Sequence, residues 1–111
     1  MFQFFEADIT RFIEKCELAD GPLETQCWIW IGGRSRGQGN QKWYGTFWIG
    51  EKSVRAHKFS FVAIGRGTWV PGHHLDHLCN NSLCVNPKHL EMTTKEINQD
   101  RKYKRKHDHK H

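Results

Sequence analysis

Apolar residues recur at helical spacing near the start of the chain, at Ile9, Phe12, Ile13 and Cys16. This predicts an amphipathic helix over residues 8–19, capped by Asp8 and stopped by Asp20-Gly21-Pro22. Cys16 then falls on the buried stripe, where a thiol behaves as a small hydrophobe. The pattern next switches to alternation. Cys27-Trp28-Ile29-Trp30-Ile31 and Tyr44-Gly45-Thr46-Phe47-Trp48-Ile49 read as an antiparallel strand pair joined by a long Gly-, Arg- and Gln-rich loop, residues 32–42. Ser53 predicts the cap of a second helix, about 54–64, with Val54, His57, Phe61 and Ile64 along one side. Pro71-Gly72 opens a short strand through His77, and Thr93 with Glu96 spells a capping box for a last helix. Past Lys102 the apolar period is lost, as in a frayed tail.

Size and charge narrow this picture. At 111 residues with 37% hydrophobic and 13% aromatic content, the chain has material for one domain, at a size where a metal or disulfide often staples the core. It shows no internal repeat and no linker. The expected divisions are an N-terminal helical extension packed on the core (1–24), a main domain (25–102) and a basic tail (103–111). No apolar run reaches the eighteen or so residues of a membrane span. The start, Met1-Phe2-Gln3-Phe4-Phe5-Glu6, lacks a basic signal-peptide region, so an intracellular and not a secreted protein is expected. The net charge of +5 is unevenly spread: residues 1–100 balance at 11 basic against 11 acidic, and the surplus is carried by residues 101–111. A uniformly basic coat is thereby excluded.

The chemistry concentrates in Asp76-His77-Leu78-Cys79-Asn80-Asn81-Ser82-Leu83-Cys84-Val85-Asn86-Pro87-Lys88-His89. Cys79, Cys84 and His89 are three zinc-type ligands within eleven residues, and a tetrahedral site needs a fourth. Cys27 is the better candidate, because Cys16 sits on the helix stripe whereas Cys27 shares an inward strand face with Ile29 and Ile31. The alternative is a Cys79–Cys84 disulfide, against which the missing secretory signal weighs. Alongside, Asp76 and, in the predicted last helix, Asn98 offer oxygen donors to a hard divalent cation, and a neutral His77 beside it can take a proton from water. Neighbouring strand residues point to opposite faces, so the strand must end or bulge at Asp76-His77 for both to serve one site.

The segment DHLCNNSLCVNPKHLEMTTKEIN resembles the HNH, or ββα-metal (His-Me finger), endonucleases in the form common among small phage-encoded proteins. It is particularly similar to the His-Cys box homing endonucleases: His77 is followed at +2 and +7 by Cys79 and Cys84, at +12 by His89 and at +21 by Asn98. The stretch CWIWIGG…WYGTFWIGEKSVRAHKFSFVAIG also looks like the region preceding the motif in phage HNH proteins. The resemblance covers roughly residues 27–98. It implies an α+β fold, a single small ββα-metal domain with an N-terminal helix, an antiparallel strand pair and structural Zn2+ on Cys27, Cys79, Cys84 and His89. It further implies His77 as general base, Asn98 and Asp76 as ligands of one catalytic Mg2+, and DNA cleaved to 5′-phosphate and 3′-hydroxyl ends. His89 departs from many HNH members, which carry a loop-bracing Asn there. The implied location is the cytoplasm of a bacterial host if the protein is phage-encoded, and the expected state is a monomer or homodimer without membrane contact.

Arg55 is the expected phosphate contact, the alternative being a solvated helix-face arginine. Arg34, Arg36, Gln38, Gln41 and Lys42 of the long loop are expected to touch DNA, as are Arg101, Lys102, Lys104 and Arg105 of the basic end. The five tryptophans are assigned to packing, and His57 to a satisfied place in the core. His73 and His74 receive no role, and His107, His109 and His111 read as a vestigial tract. The competing function, from another class, is a zinc-stabilised DNA-binding module without catalysis.

Overall fold

In the computed structural model, residues 3–37 and 42–94 are described. The chain runs α1 (Glu6–Ile13), β1 (Cys16–Ala19), β2 (Cys27–Trp30), β3 (Arg34–Arg36), β4 (Trp43–Ile49), β5 (Lys52–Arg55), α2 (Ala56–Phe59), a π-helical continuation (Ser60–Ile64), β6 (His74–His77), a 3-10 turn (Pro87–His89) and β7 (Leu90–Thr93). The α+β class holds, with antiparallel β1–β2, β3–β4–β5 and β6–β7.

Several elements differ from their sequence expectations. The first helix stops at Ile13, and Cys16 opens β1 opposite Trp30. The cap position belongs to Phe5, and the Asp8 carboxylate reaches back to accept from its backbone N–H at 2.8 Å. The two aromatic strands do not pair with each other. β2 pairs with β1, and β4 lies between β3 and β5. The helix expected from Ser53 starts at Ala56, because residues 52–55 first close a hairpin on β4 with Ile49 opposite Lys52. Gly50, at φ +61, gives that two-residue turn the positive φ its first central position requires. Thr93 ends β7 with its hydroxyl toward the His74 carbonyl. The predicted last helix and the basic tail, with Asn98, Arg101, Lys102, Lys104 and Arg105, lie outside the described residues, as do Gln38 and Gln41.

Alternation along β2 divides the molecule between two clusters. Trp30, with Trp28 beside it, faces the main core of Phe12, Phe47, Ala56, Phe59, Ala63 and Val85. Phe12 meets Trp30, Phe47 and Phe59 at ring-centre distances of 4.7, 5.2 and 5.0 Å, which ties α1 into that core. Truncating a ring so enclosed costs about 3–5 kcal/mol. Arg11 adds a second tie, bonding Asp8 and the Trp48 carbonyl with its guanidinium 4.4 Å from the Phe47 ring centre. Gly45 faces Trp30 across β4, where a Cβ would collide with the indole. Cys27 and Ile29 point the other way, to a second cluster with Cys79 and Cys84.

Candidate metal centre and active site

β2 brings the fourth cysteine to the other three ligands. Its free edge is taken by the loop after β6: Trp30 N–H donates to the Leu83 carbonyl at 2.9 Å and Val85 N–H to the Trp28 carbonyl at 2.7 Å, around an antiparallel bridge between Ile29 and Cys84. The loop itself is tightly turned. Asn80, at φ +60, donates its N–H to the His77 carbonyl, and Asn86 caps the 3-10 turn by accepting from Lys88 N–H. The Asn86 amide also donates to the Gln26 carbonyl at 2.7 Å, and the Ser60 hydroxyl donates to the Val85 carbonyl. The loop is thus fastened to the residue before Cys27 and to the helical segment behind it.

The result is a buried cluster of Cys27, Cys79, Cys84 and His89 whose ligand atoms lie within 4.8 Å of one another. All four cysteines of the chain are free thiols, which removes the disulfide alternative. His89 Nδ1 lies 3.7 Å from Cys27 Sγ and 3.4 Å from Cys84 Sγ. Zinc–sulfur and zinc–nitrogen bonds of ordinary length at tetrahedral angles set that edge at about 3.6 Å, so the two edges His89 makes with Cys27 and Cys84 match those of a zinc site. His89 Nε2 faces the Thr25 hydroxyl at 2.7 Å. Leaving the Nδ1 lone pair to a metal puts the ring proton on Nε2, where Thr25 accepts it and fixes the ring. Within the cluster Cys79 hydrogen-bonds to Cys84, which holds the Cys84 thiol below its ordinary range and pushes Cys79 above it. Burial raises Cys27 as well. A cation would draw all three to thiolates. Cys16 stands apart, its thiol donating to the Phe12 carbonyl at 3.4 Å and pushed up to about 11 by burial. Cys27 is therefore the ligand, but for a different reason than a helix stripe at Cys16. Of its expected face mates, Ile29 is packed on the cluster and Ile31, beyond the strand end, is exposed.

Asp76 and His77 are both buried at the end of β6. Both are paired in the regular register of β6, Asp76 with Glu91 and His77 with Leu90, so the expected end or bulge between them is absent: their side chains leave opposite faces, and the turn comes only after His77. His77 packs against rings: His57 at 4.9 Å and Tyr44 at 6.2 Å between centres, with Tyr44 in turn 5.6 Å from His57. Arg55, at the end of β5 and the start of α2, lays its guanidinium 5.1 Å from the Tyr44 ring centre and donates to the Ser35 hydroxyl at 2.9 Å. It is half-buried at a strand end and not on a solvated helix face. Arg34 and Arg36 are exposed on the edge strand β3, and Lys42 is exposed just before β4.

His57 corrects its sequence reading. Its Nδ1 is buried with no hydrogen-bond partner, and its ring faces His77. Burial, and then the neighbouring charges of His77, Arg55 and Lys58, lower its pKa to about 3, so the ring is neutral. His73 likewise has a buried Nδ1 without a partner, whereas His74 is exposed. The tryptophans also divide: Trp30 is core, but Trp43 and Trp48 are 46% and 57% exposed. Sequence reasoning missed Thr25 and Asn86. The Asn-Pro pair, a frequent turn opener, was the available signal for Asn86.

Fold and site together define a small α+β protein stapled by a Cys3His zinc-binding cluster. The chain matches the family model described as the zinc-binding loop region of homing endonuclease over residues 27–111, most of its length, and belongs to that family. No curated protein and no solved structure matches it. Among the described residues no helix is long and apolar enough to cross a membrane.

Proposed function

We propose that the protein is a Mg2+-dependent DNA endonuclease in which His77 is the general base. The observation that carries this reading is the placement of His77: buried at the strand end, two residues before a zinc ligand, against His57 and Tyr44 and within one ring of Arg55. Zinc holds the loop that follows His77, so the imidazole is presented from a rigid turn and not from a free loop. A neutral His77 can accept the proton of an attacking water. Arg55, on the Tyr44 ring, offers a fork of N–H donors to a phosphate oxygen.

Asp76 and Asn98 are the residues that would hold Mg2+. Asp76, buried at the end of β6, would offer the carboxylate and Asn98 the amide oxygen, a donor pair suited to a hard cation. When bound, the ion neutralises charge that builds on the phosphate and the leaving 3′ oxygen. Arg34, Arg36 and Lys42, with Arg101, Lys102, Lys104 and Arg105, supply contacts to the DNA backbone. The ends produced are 5′-phosphate and 3′-hydroxyl, and one such site cuts one strand per encounter, so a double-strand break takes a homodimer or a second encounter.

The test is relaxation of supercoiled plasmid with and without Mg2+, using wild type and His77→Ala. Wild type should nick only with Mg2+, and the variant should lose about 10²–10⁴-fold in rate while retaining zinc and DNA affinity. Equal nicking by both proteins would refute His77 as base. DNA binding without any nicking would favour a zinc-stabilised binding module.

A further inference from the structure

Trp43 opens β4 with nearly half its surface in solvent, whereas Trp30 is fully enclosed. Its surroundings are basic and polar. Arg36, the register partner of Trp43 on β3, holds its guanidinium 5.1 Å from the indole centre. Lys42 and Trp43 line a cleft of about 540 Å³ whose far side is Asn80, Asn81 and Ser82 of the zinc loop. The Ser82 hydroxyl donates to the Trp43 carbonyl at 2.5 Å, which pins that loop to the start of β4. Among the described residues no carboxylate lines the cleft.

We propose that Trp43 is a stacking platform for an unpaired nucleobase of the DNA substrate, with Arg36 and Lys42 on its phosphate. The inference rests on the nuclease reading and adds the structural class of substrate. Every base presents a π face that an indole can cover, so the platform does not depend on sequence. In the free protein the Arg36 guanidinium occupies the ring. A base arriving on the indole displaces it, and the freed fork matches a phosphate. The Asn81 side-chain oxygen accepts from Leu83 N–H at 3.0 Å, which orients that amide and presents its NH2 group as a donor for a base edge. Bases within a duplex are stacked on one another and offer no free face, so the cleft selects DNA with a gap, a bulge or a single-stranded segment. Trp43 and Tyr44 turn to opposite faces of β4, but the cleft stays close to the proposed base along the chain. Trp43 precedes Tyr44, whose ring lies 6.2 Å from His77, and Cys79 and Asn80 follow His77 closely along the chain.

The experiment is fluorescence anisotropy on the full zinc-loaded chain without Mg2+, so that nothing is cut. The probes are a short duplex, the same duplex with a gap of a few nucleotides, and the single strand. Wild type should prefer the gapped probe and the single strand to the duplex. Trp43→Ala should lose about tenfold on those two and stay within about twofold on the duplex, while Trp43→Phe retains most of the preference. A melting temperature equal to wild type certifies the fold of each variant. Trp43→Ala that keeps the preference, or that weakens all three probes alike, overturns the proposal. So does wild type that binds duplex and gapped DNA equally, while the plasmid assay decides the nuclease reading separately. Single-stranded RNA bound more tightly than the same DNA sequence would overturn the assignment of DNA.

Discussion

His89 and His77 are both buried and stand close together in the chain, yet their surroundings differ. The His89 ring is held at both nitrogens, by Thr25 on one side and by the cysteine thiols on the other. His77 is packed against other rings, His57 and Tyr44, with an arginine over the outer one. The first arrangement aims one ring nitrogen at the cysteine cluster and anchors the other on Thr25. The second fixes the plane of the ring by contact with other rings. The zinc-type cluster and the proposed general base thus sit on adjoining stretches of chain, and under the nuclease reading rigidity built in the first serves the second.

The largest expected effect breaks the first centre. Zinc binding in small domains contributes about 10 kcal/mol or more of folding energy, and a marginal core cannot replace it. Cys84→Ser should lose stoichiometric zinc and its cooperative melting transition together. Cys16→Ser, on the other face of β2 from the cluster, should keep full zinc and lose little stability. Elemental analysis with thermal melting checks both. A Cys84 variant that melts like wild type without zinc would remove the staple from the account.

A smaller effect sharpens the comparison. Thr25→Val deletes the acceptor at His89 Nε2 and leaves all four ligands in place. Outer partners of this kind are worth about 10–100-fold in metal affinity. Competition with a chelator should show a loss of that order, with stability at saturating zinc close to wild type. An unchanged affinity would mean that the thiols alone orient the ring.

The contrast also explains what could be read from sequence. Cys79, Cys84 and His89 are close in sequence and are legible from spacing alone, and the class of fold follows from the same stretch. Cys27 was reached through alternation, which β2 obeys. The stripe ending in Cys16 was misread because four apolar residues at helical spacing do not reveal where a short helix stops, and β1 forms only because β2 is there to pair with it. The pairing of β4 with β3 and β5, not with β2, is a tertiary choice that alternation does not encode. His57 lay on a plausible apolar stripe. Only the true start of α2 at Ala56, after the β4–β5 hairpin, turns it toward β6 and His77. Likewise alternation marks Trp48 as a strand residue without saying that it outreaches the core, and the strand begins one residue earlier than alternation suggests, at an exposed Trp43.

The smallest effect probes the ring packing around His77 through pH. His57 titrates at about 3 when folded, held down first by burial and then by His77, Arg55 and Lys58, against an ordinary value near 6.5 when unfolded. Between those values the unfolded chain binds the extra proton, so stability rises with pH. This contribution is complete above about pH 6.5 and is lost as pH falls from there toward the folded value. His57→Phe keeps a ring against His77 and Tyr44 but cannot titrate. Its melting temperature should therefore fall less than that of wild type between neutral and mildly acidic solution. The zinc ligands protonate in both proteins and cancel in the difference, provided zinc is saturating throughout. Parallel curves for the two proteins would mean that His57 gains its proton without cost, as a solvated ring does, and that the ring packing beside His77 is looser than its 4.9 Å separation implies.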